Sequence, residues 1–267
     1  MLFYEVYVKI ATKEVVALKF EKIFAGQHKN EGYNALWNMV KDELPDESHT
    51  KIIRRRLQGE FADLCTDNYY IAYEDDVCYS RLWTGWGKHK DAIGNFGHFL
   101  TLPEKRGQGL GREVIKKWTA DIKSRGDAPL ALFCTATAEI TEIYRPLGFR
   151  EITPEAKGGF LYCPLGNSPE TFKEFCDDYF VSGKEIYQKP ASMEYRHELD
   201  CLLRFAFFAL KEEFTMGGSF YVEDYFVKCP EKLSIFFDER NHVVGWGYED
   251  NFKIHPAYRD CKIIKRY

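Results

Sequence analysis

The chain lacks an excess of positive charge, a CxxC pair, a long apolar run and the layout of a signal peptide, and each absence removes a class of function. With 37 Lys and Arg against 41 Asp and Glu, net charge is −4, so no basic face collects phosphates and nucleic acid is not an expected partner. The basic run Lys51 to Arg56 is the exception; inside a helix-like stretch it reads as a solvated face. The 8 cysteines, at 65, 78, 134, 163, 176, 201, 229 and 261, are scattered without zinc-ligand spacing, so no metal site is expected. No apolar run approaches the roughly 20 residues that span a bilayer. Met1 to Ile10 alternates like a strand rather than running from charge into apolar residues. These features predict a cytoplasmic protein with free thiols and no membrane partner.

What is present is aromatic: 21 Phe, 17 Tyr and 5 Trp, enough for an aromatic core or an aromatic-lined pocket. A length of 267 residues predicts one large or two smaller cores. Val6–Ile10 and Val15–Phe20 read as extended. Tyr33, Leu36, Trp37, Val40 and Leu44 recur at helical spacing, Pro45 stops that helix, and a second carries Ile52, Ile53, Leu57 and Phe61. The period then falls to two. Residues 69–73 and 77–83 form a hairpin about Asp75-Asp76, and 95–102 form a strand ended by Pro103. A Gly-rich turn, a helix to Ser124, a buried strand at 130–134, a short helix at 138–146 and two strands at 149–152 and 159–163 follow. Pro164 to Ser168 reads as a boundary, which divides the chain into 1–165 and 166–267. In the tail, 170–180 and 194–211 read as helices and 234–246 as a hairpin. Helix followed by a hairpin ending in Gly-Trp (Gly85-Trp86, Gly245-Trp246) echoes the first half; a degenerate partial repeat and an ordinary extension both explain it.

The informative stretch is Leu100-Thr-Leu-Pro-Glu-Lys-Arg-Gly-Gln-Gly-Leu-Gly-Arg112, where a strand runs through glycines straight into a helix. Glycines let the backbone turn tightly and approach a ligand. The first turn of a helix leaves amides unpaired and carries partial positive charge, which suits a pyrophosphate. Arg106 and Arg112 add charge at the rim. Gly107, Gly109 and Gly111 do not fit the dinucleotide spacing G-x-G-x-x-G, and no G-x-x-x-x-G-K-[ST] occurs. The pattern that fits is [Q/R]-x-x-G-x-[G/A], with Arg106, Gly109 and Gly111. Downstream lies Ile143-Tyr-Arg-Pro-Leu-Gly-Phe149.

The order strand, R-x-x-G-x-G, helix, strand, short helix with Tyr, then Gly-Phe resembles the GNAT superfamily of N-acetyltransferases. The resemblance covers residues 65–165 well, 31–63 moderately, and does not extend over 168–267. It implies an α/β (α+β) fold: a mixed, mostly antiparallel sheet flanked by helices, here followed by a C-terminal α+β extension. It also implies acetyl-CoA as co-substrate, with pyrophosphate on Arg106, Gly107, Gln108, Gly109, Leu110, Gly111 and Arg112. Pantetheine would lie between two parting strands, on main-chain groups of Leu100 and Leu102. The family's acid, which protonates the departing thiolate, falls on Tyr144. Thr137 stands where the family often has a cofactor-binding Asn, and Pro146 should shorten the short helix.

His98 is the candidate base, and by strict alternation it shares a face with Phe96, Leu100 and Leu102; a packed, hydrogen-bonded histidine is the rival reading. Water relayed to Glu74, Asp75 or Asp76 is a second route for the proton. Trp83 and Trp86 fall where the family binds its acceptor, with core packing the alternative. Cys134 lacks a paired histidine and reads as core. The expected reaction is acetyl transfer to a primary amine, from a small molecule or a peptide, by direct attack. The alternative is a non-catalytic CoA-binding sensor or partner-binding module. The tail would shape the acceptor side or a homodimer contact.

Overall fold

The computed structural model describes residues 18–43, 48–153, 159–214, 225–226 and 229–265. The expected strand at Val6–Ile10 lies outside them, as does the part of the Val15–Phe20 strand before residue 18. Elements of the first part are β1 (Lys19–Phe24), α1 (Glu31–Glu43), α2 (Ser48–Leu57), β2 (Cys65–Glu74), β3 (Val77–Gly87), β4 (Ile93–Thr101), α3 (Leu110–Ser124), β5 (Ala131–Ala136), α4 (Ala138–Tyr144), β6 (Arg150–Glu151) and β7 (Gly159–Pro164). Their strands form one sheet in the order β1-β2-β3-β4-β5-β7-β6. Neighbours are antiparallel except β4 and β5, which run parallel and are joined through α3.

Both faces of this sheet are covered. Leu110, Val114, Trp118 and Ile122 recur every fourth residue on α3 and are buried against Tyr70, Leu82, Trp86, Phe96 and Leu132. On the opposite face α1 and α2 bring Tyr33, Leu36, Val40, Ile53 and Leu57 onto Tyr69, Ile71 and Trp83. Pro146 acts as expected: α4 ends at Tyr144, and Arg145–Leu147 tightens into a 3-10 turn. Gly148 follows at φ +105°, a conformation that favours glycine, and turns the chain so that Phe149 enters the core.

The remaining elements are α5 (Phe172–Tyr179), β8 (Glu185–Pro190), α6 (Arg204–Ala209), β9 (Leu233–Phe237), β10 (Val243–Tyr248), β11 (Asn251–Ile254) and β12 (Lys262–Lys265). They build a second sheet, β11-β10-β9-β8-β12, in which β8 and β12 are parallel. Thr171 and Glu174 close a capping box on α5. The single helix expected at 194–211 is three pieces of different pitch: a 3-10 turn at Met193–Tyr195, a π-helical stretch at Glu198–Leu203, then α6. The two sheets share a core, because Phe133 of β5 and Tyr162 of β7 pack on Phe172 and Phe175 of α5. No helix among the described residues is long and apolar enough to cross a membrane.

Candidate active site

β4 and β5 separate. Ile93, Gly94 and Asn95 pair with Ala131, Leu132 and Phe133, and there the ladder ends although β4 continues to Thr101 and β5 to Ala136. The cause is legible in β4. Gly97 pairs with Trp83 while Leu100 pairs with Arg81, so β4 spends one more residue than β3 over this span. The extra residue is His98, held at φ +49°. The bulge bends β4 away from β5 and opens a V whose apex is the Asn95–Phe133 pair.

At the mouth of the V stands the glycine loop. Gly107 and Gly109 adopt φ +77° and +82°, and Gly109 caps α3 without a side chain. The amides of Gly107, Gln108 and Gly109 donate to no backbone carbonyl among the described residues, and Glu113 is the first amide to bond within α3, at 3.1 Å to Gly109. A helix start leaves those of Leu110, Gly111 and Arg112 unpaired as well. A Cβ on Gly111 would lie 2.9 Å from Phe99 Cζ, so glycine lets α3 close onto β4. Leu110 is buried in the core and can offer only its amide. Arg112 is exposed, Arg106 donates through Nε to Thr101 O at 3.1 Å, and Gln108 donates to Glu104 O at 3.2 Å. The loop is exposed from Arg106 to Gly109, and its amides and two arginines fit a diphosphate.

Two expectations need correction. The Leu102 amide donates to Tyr79 O at 2.9 Å, so it is turned toward β3. Main-chain groups alternate along a strand, which also directs those of Leu100 toward its partner Arg81 and presents those of Phe99 and Thr101 to the gap. The main chain of Phe99 and Thr101, rather than that of Leu100 and Leu102, therefore faces the gap. Second, the bulge breaks the alternation that put His98 beside Phe96. Phe96 and Phe99 pack on Tyr144, at 5.0 and 6.3 Å between ring centres, whereas His98 meets Trp83 on the other face at 5.3 Å. The isolated Gly97 inside the strand pattern was the available sign of a bulge.

Tyr144 is buried among Phe96, Phe99, Phe149 and Cys134, and its hydroxyl has no hydrogen-bond partner among the described residues. Burial, with a smaller effect of Cys134, pushes its phenol well above the usual range, so it keeps its proton. Thr137 caps α4, its Oγ1 accepting from the Ile140 amide at 3.4 Å, which commits part of the hydroxyl expected to replace the family's Asn. Cys134 is buried, and burial raises its thiol far out of the nucleophilic range.

His98 is half-buried, Arg81 donates through Nε to its carbonyl at 3.3 Å, and the charges of Arg56, Arg81 and Arg196 act on its ring. Burial first, then these three charges, lowers its imidazole to about 3. Trp83 lies beneath it, donating to Asp67 Oδ1 at 2.8 Å, with the Arg56 guanidinium 4.6 Å above its ring. Trp86 is on the opposite face, in the α3 core under Arg125, so the structure does not bring the two tryptophans together. Asp75 and Asp76 are exposed at the β2–β3 turn, and Glu74 accepts from the hydroxyl of Tyr79 on β3 at 3.5 Å, with Lys105 over that ring. Reading by sequence missed Arg196 and His197, which approach Trp83 from the extension at 5.7 and 5.9 Å.

Residues 80–157, which hold the bulged strand, the glycine loop, α3, β5 and Tyr144, match a family model described as FR47-like protein. No curated protein matches the chain. Among solved structures, an acyl-CoA N-acyltransferase from Pseudomonas aeruginosa is 15% identical and covers 55% of this chain and 99% of its own, with a TM-score of 0.40. A GNAT family N-acetyltransferase (YhbS) from Escherichia coli, in complex with CoA, is 13% identical over 57% of this chain and 84% of its own, with a TM-score of 0.38. An acetyltransferase of the GNAT family from Staphylococcus aureus is 10% identical over 55% of this chain and 100% of its own, with a TM-score of 0.37. Residues 80–157 thus resemble the FR47-like family, and among the described residues the first sheet, with β4 and β5 parallel and parted, is the mixed, mostly antiparallel sheet flanked by helices expected for this segment.

Proposed function

We propose that the protein is an N-acetyltransferase that takes the acetyl group of acetyl-CoA to a primary amine by direct attack, with both reactants bound together. One observation carries this reading: the gap between β4 and β5 opens at uncommitted amides on the start of α3. Gln108 to Gly111 and the two arginines hold the pyrophosphate. The main chain of Phe99 and Thr101 receives the pantetheine arm as an added strand and supplies a donor for the developing oxyanion. Acetyl-CoA brings an activated thioester, and bringing the amine to it in one orientation accounts for much of the acceleration.

Tyr144, protonated and free at its hydroxyl, gives its proton to the leaving thiolate. An imidazole lowered to about 3 holds a proton poorly, so His98 does not suit the task of stripping an ammonium at neutral pH. It is neutral and suited to accept or donate a hydrogen bond at the bulge, while the amine proton passes to water. The test is a turnover assay that detects free CoA thiol over a panel of amines. Release that depends on the amine supports the reading. CoA binding without amine-dependent release with any acceptor would instead favour a sensor.

A further inference from the structure

The acceptor must reach the V, and the chain limits how. From the α3 side the way is closed, because Phe96, Phe99, Tyr144 and Phe149 fill that face beneath α3 and α4. On the other face α1 and α2 cover β1 to β3. A strap of the C-terminal extension, residues 193–209, covers the part of that face around the Ile93 and Phe133 end of β4 and β5.

This strap crosses the sheet at the apex of the V. At β3, Gly87 lies so close to it that a Cβ there would sit 1.9 Å from Glu194 O, and His197 sits against Trp83. At the first residue of β4, the fully buried Glu198 accepts the Ile93 amide at 2.8 Å and meets His89 Nε2 at 3.0 Å. At β5, Phe205 packs edge-on to Phe133, the residue that ends the β4–β5 ladder, at 5.4 Å. At β7, Phe205 stacks on Phe160 at 4.3 Å and Phe208 meets the same ring at 4.8 Å. Phe160 pairs with the exposed Thr135, just past the apex.

A polypeptide acceptor presents its amine while flanking residues lie along the enzyme, and such a chain needs an open face beside the thioester. Here that face is filled by the enzyme's own strap, fastened by a buried carboxylate and a run of phenylalanines. We infer that the acceptor is a small free amine, admitted end-on past His98 and Thr135, and not a lysine or terminus within a polypeptide. The inference rests on the acetyl-transfer reading and narrows it.

The test uses the full chain and needs no knowledge of the true acceptor. CoA is joined through its sulfur, as the carboxymethyl thioether, to amides of two kinds: ethylamine, and the side-chain amine of a lysine centred in a neutral heptapeptide. Affinities of both conjugates and of CoA are measured by calorimetry. The expected result is an ethylamide that binds within about threefold of CoA and a heptapeptide conjugate at least tenfold weaker than the ethylamide. A heptapeptide conjugate that binds as tightly as the ethylamide, or more tightly, overturns the inference while leaving acetyl transfer intact. Failure of CoA itself to bind removes the acetyl-transfer reading and the inference together, and the CoA arm tells the two failures apart.

Discussion

Asn95 and Phe133 are the last residues that β4 and β5 share, and everything the site can do follows from the ladder ending there. Below this pair the strands are hydrogen-bonded. Above it the bulge at His98 carries β4 away, and main-chain groups that no neighbouring strand pairs face a gap that leads to the glycine loop.

The first prediction concerns that loop. Gly109 lies in open space, so a side chain there meets no neighbour, but its φ of +82° suits only glycine. Gly109→Val should cost about 1–2 kcal/mol of stability and tilt the α3 amides. A fall in CoA affinity of about tenfold or more, beyond what the Tm change explains, is the expected calorimetric result.

Tyr144→Phe removes one hydroxyl and leaves the ring contacts with Phe96 and Phe149. If Tyr144 is the acid, turnover should fall by about 10²–10⁴-fold while CoA affinity and Tm stay nearly unchanged. Equal losses of turnover and affinity would assign the phenol to binding instead.

His89 joins the β3–β4 loop to Glu198. Burial opposes its charge, but the hydrogen bond and the negative charge of Glu198 outweigh it and push the imidazole up to about 9. Replacing it, as in His89→Gln, leaves the Glu198 carboxylate buried without its cation. Loss of one partner of a buried pair costs about 3–5 kcal/mol, or about 2–4 °C of Tm per kcal/mol for a chain of this size. Chemical denaturation of both proteins at pH 7 checks the size.

Stability should also depend on pH at both ends. The folded value for His89 lies above its unfolded one, so its contribution is full below about 6.5 and disappears as pH rises through about 9. His98, lowered to about 3, and His255, lowered to about 4 by burial and Arg259, behave oppositely. Their contribution is full above about 6.5 and is lost as pH falls toward those values. A Tm profile from pH 4 to 10 should therefore peak between about 6 and 8, and His89→Gln should flatten only its alkaline side.

Much of this was readable before any coordinates. The Gly-rich turn before it and Arg125-Gly126 after it bounded α3, and Pro146 announced the end of α4. Glycine spacing located the loop because it constrains backbone shape directly. What escaped was of two kinds. Strict alternation fails wherever a strand carries an extra residue, so one bulge moved His98 to the other face. The family pattern alone did not show that the main chain of Phe99 and Thr101, not that of Leu100 and Leu102, faces the gap. Contacts between distant segments leave no local pattern: nothing near Glu198 shows that it caps Ile93, and the apolar stripe through 194–211 looks the same whether its pitch is α or π. The short strands β8, β11 and β12 escaped for the same reason, since their partners are remote in sequence or too brief to set a period.

The most direct measurement is a calorimetric titration of the full chain with coenzyme A beside one with its 3′,5′-ADP portion, which keeps one phosphate of the pyrophosphate and lacks the other and the pantetheine. The account predicts a one-to-one isotherm for CoA and far weaker binding of the fragment, because the fragment brings only one of the two phosphates that the α3 amides hold and nothing that reaches the β4 edge. No heat from CoA at millimolar concentration, or equal affinity for the two, would contradict it.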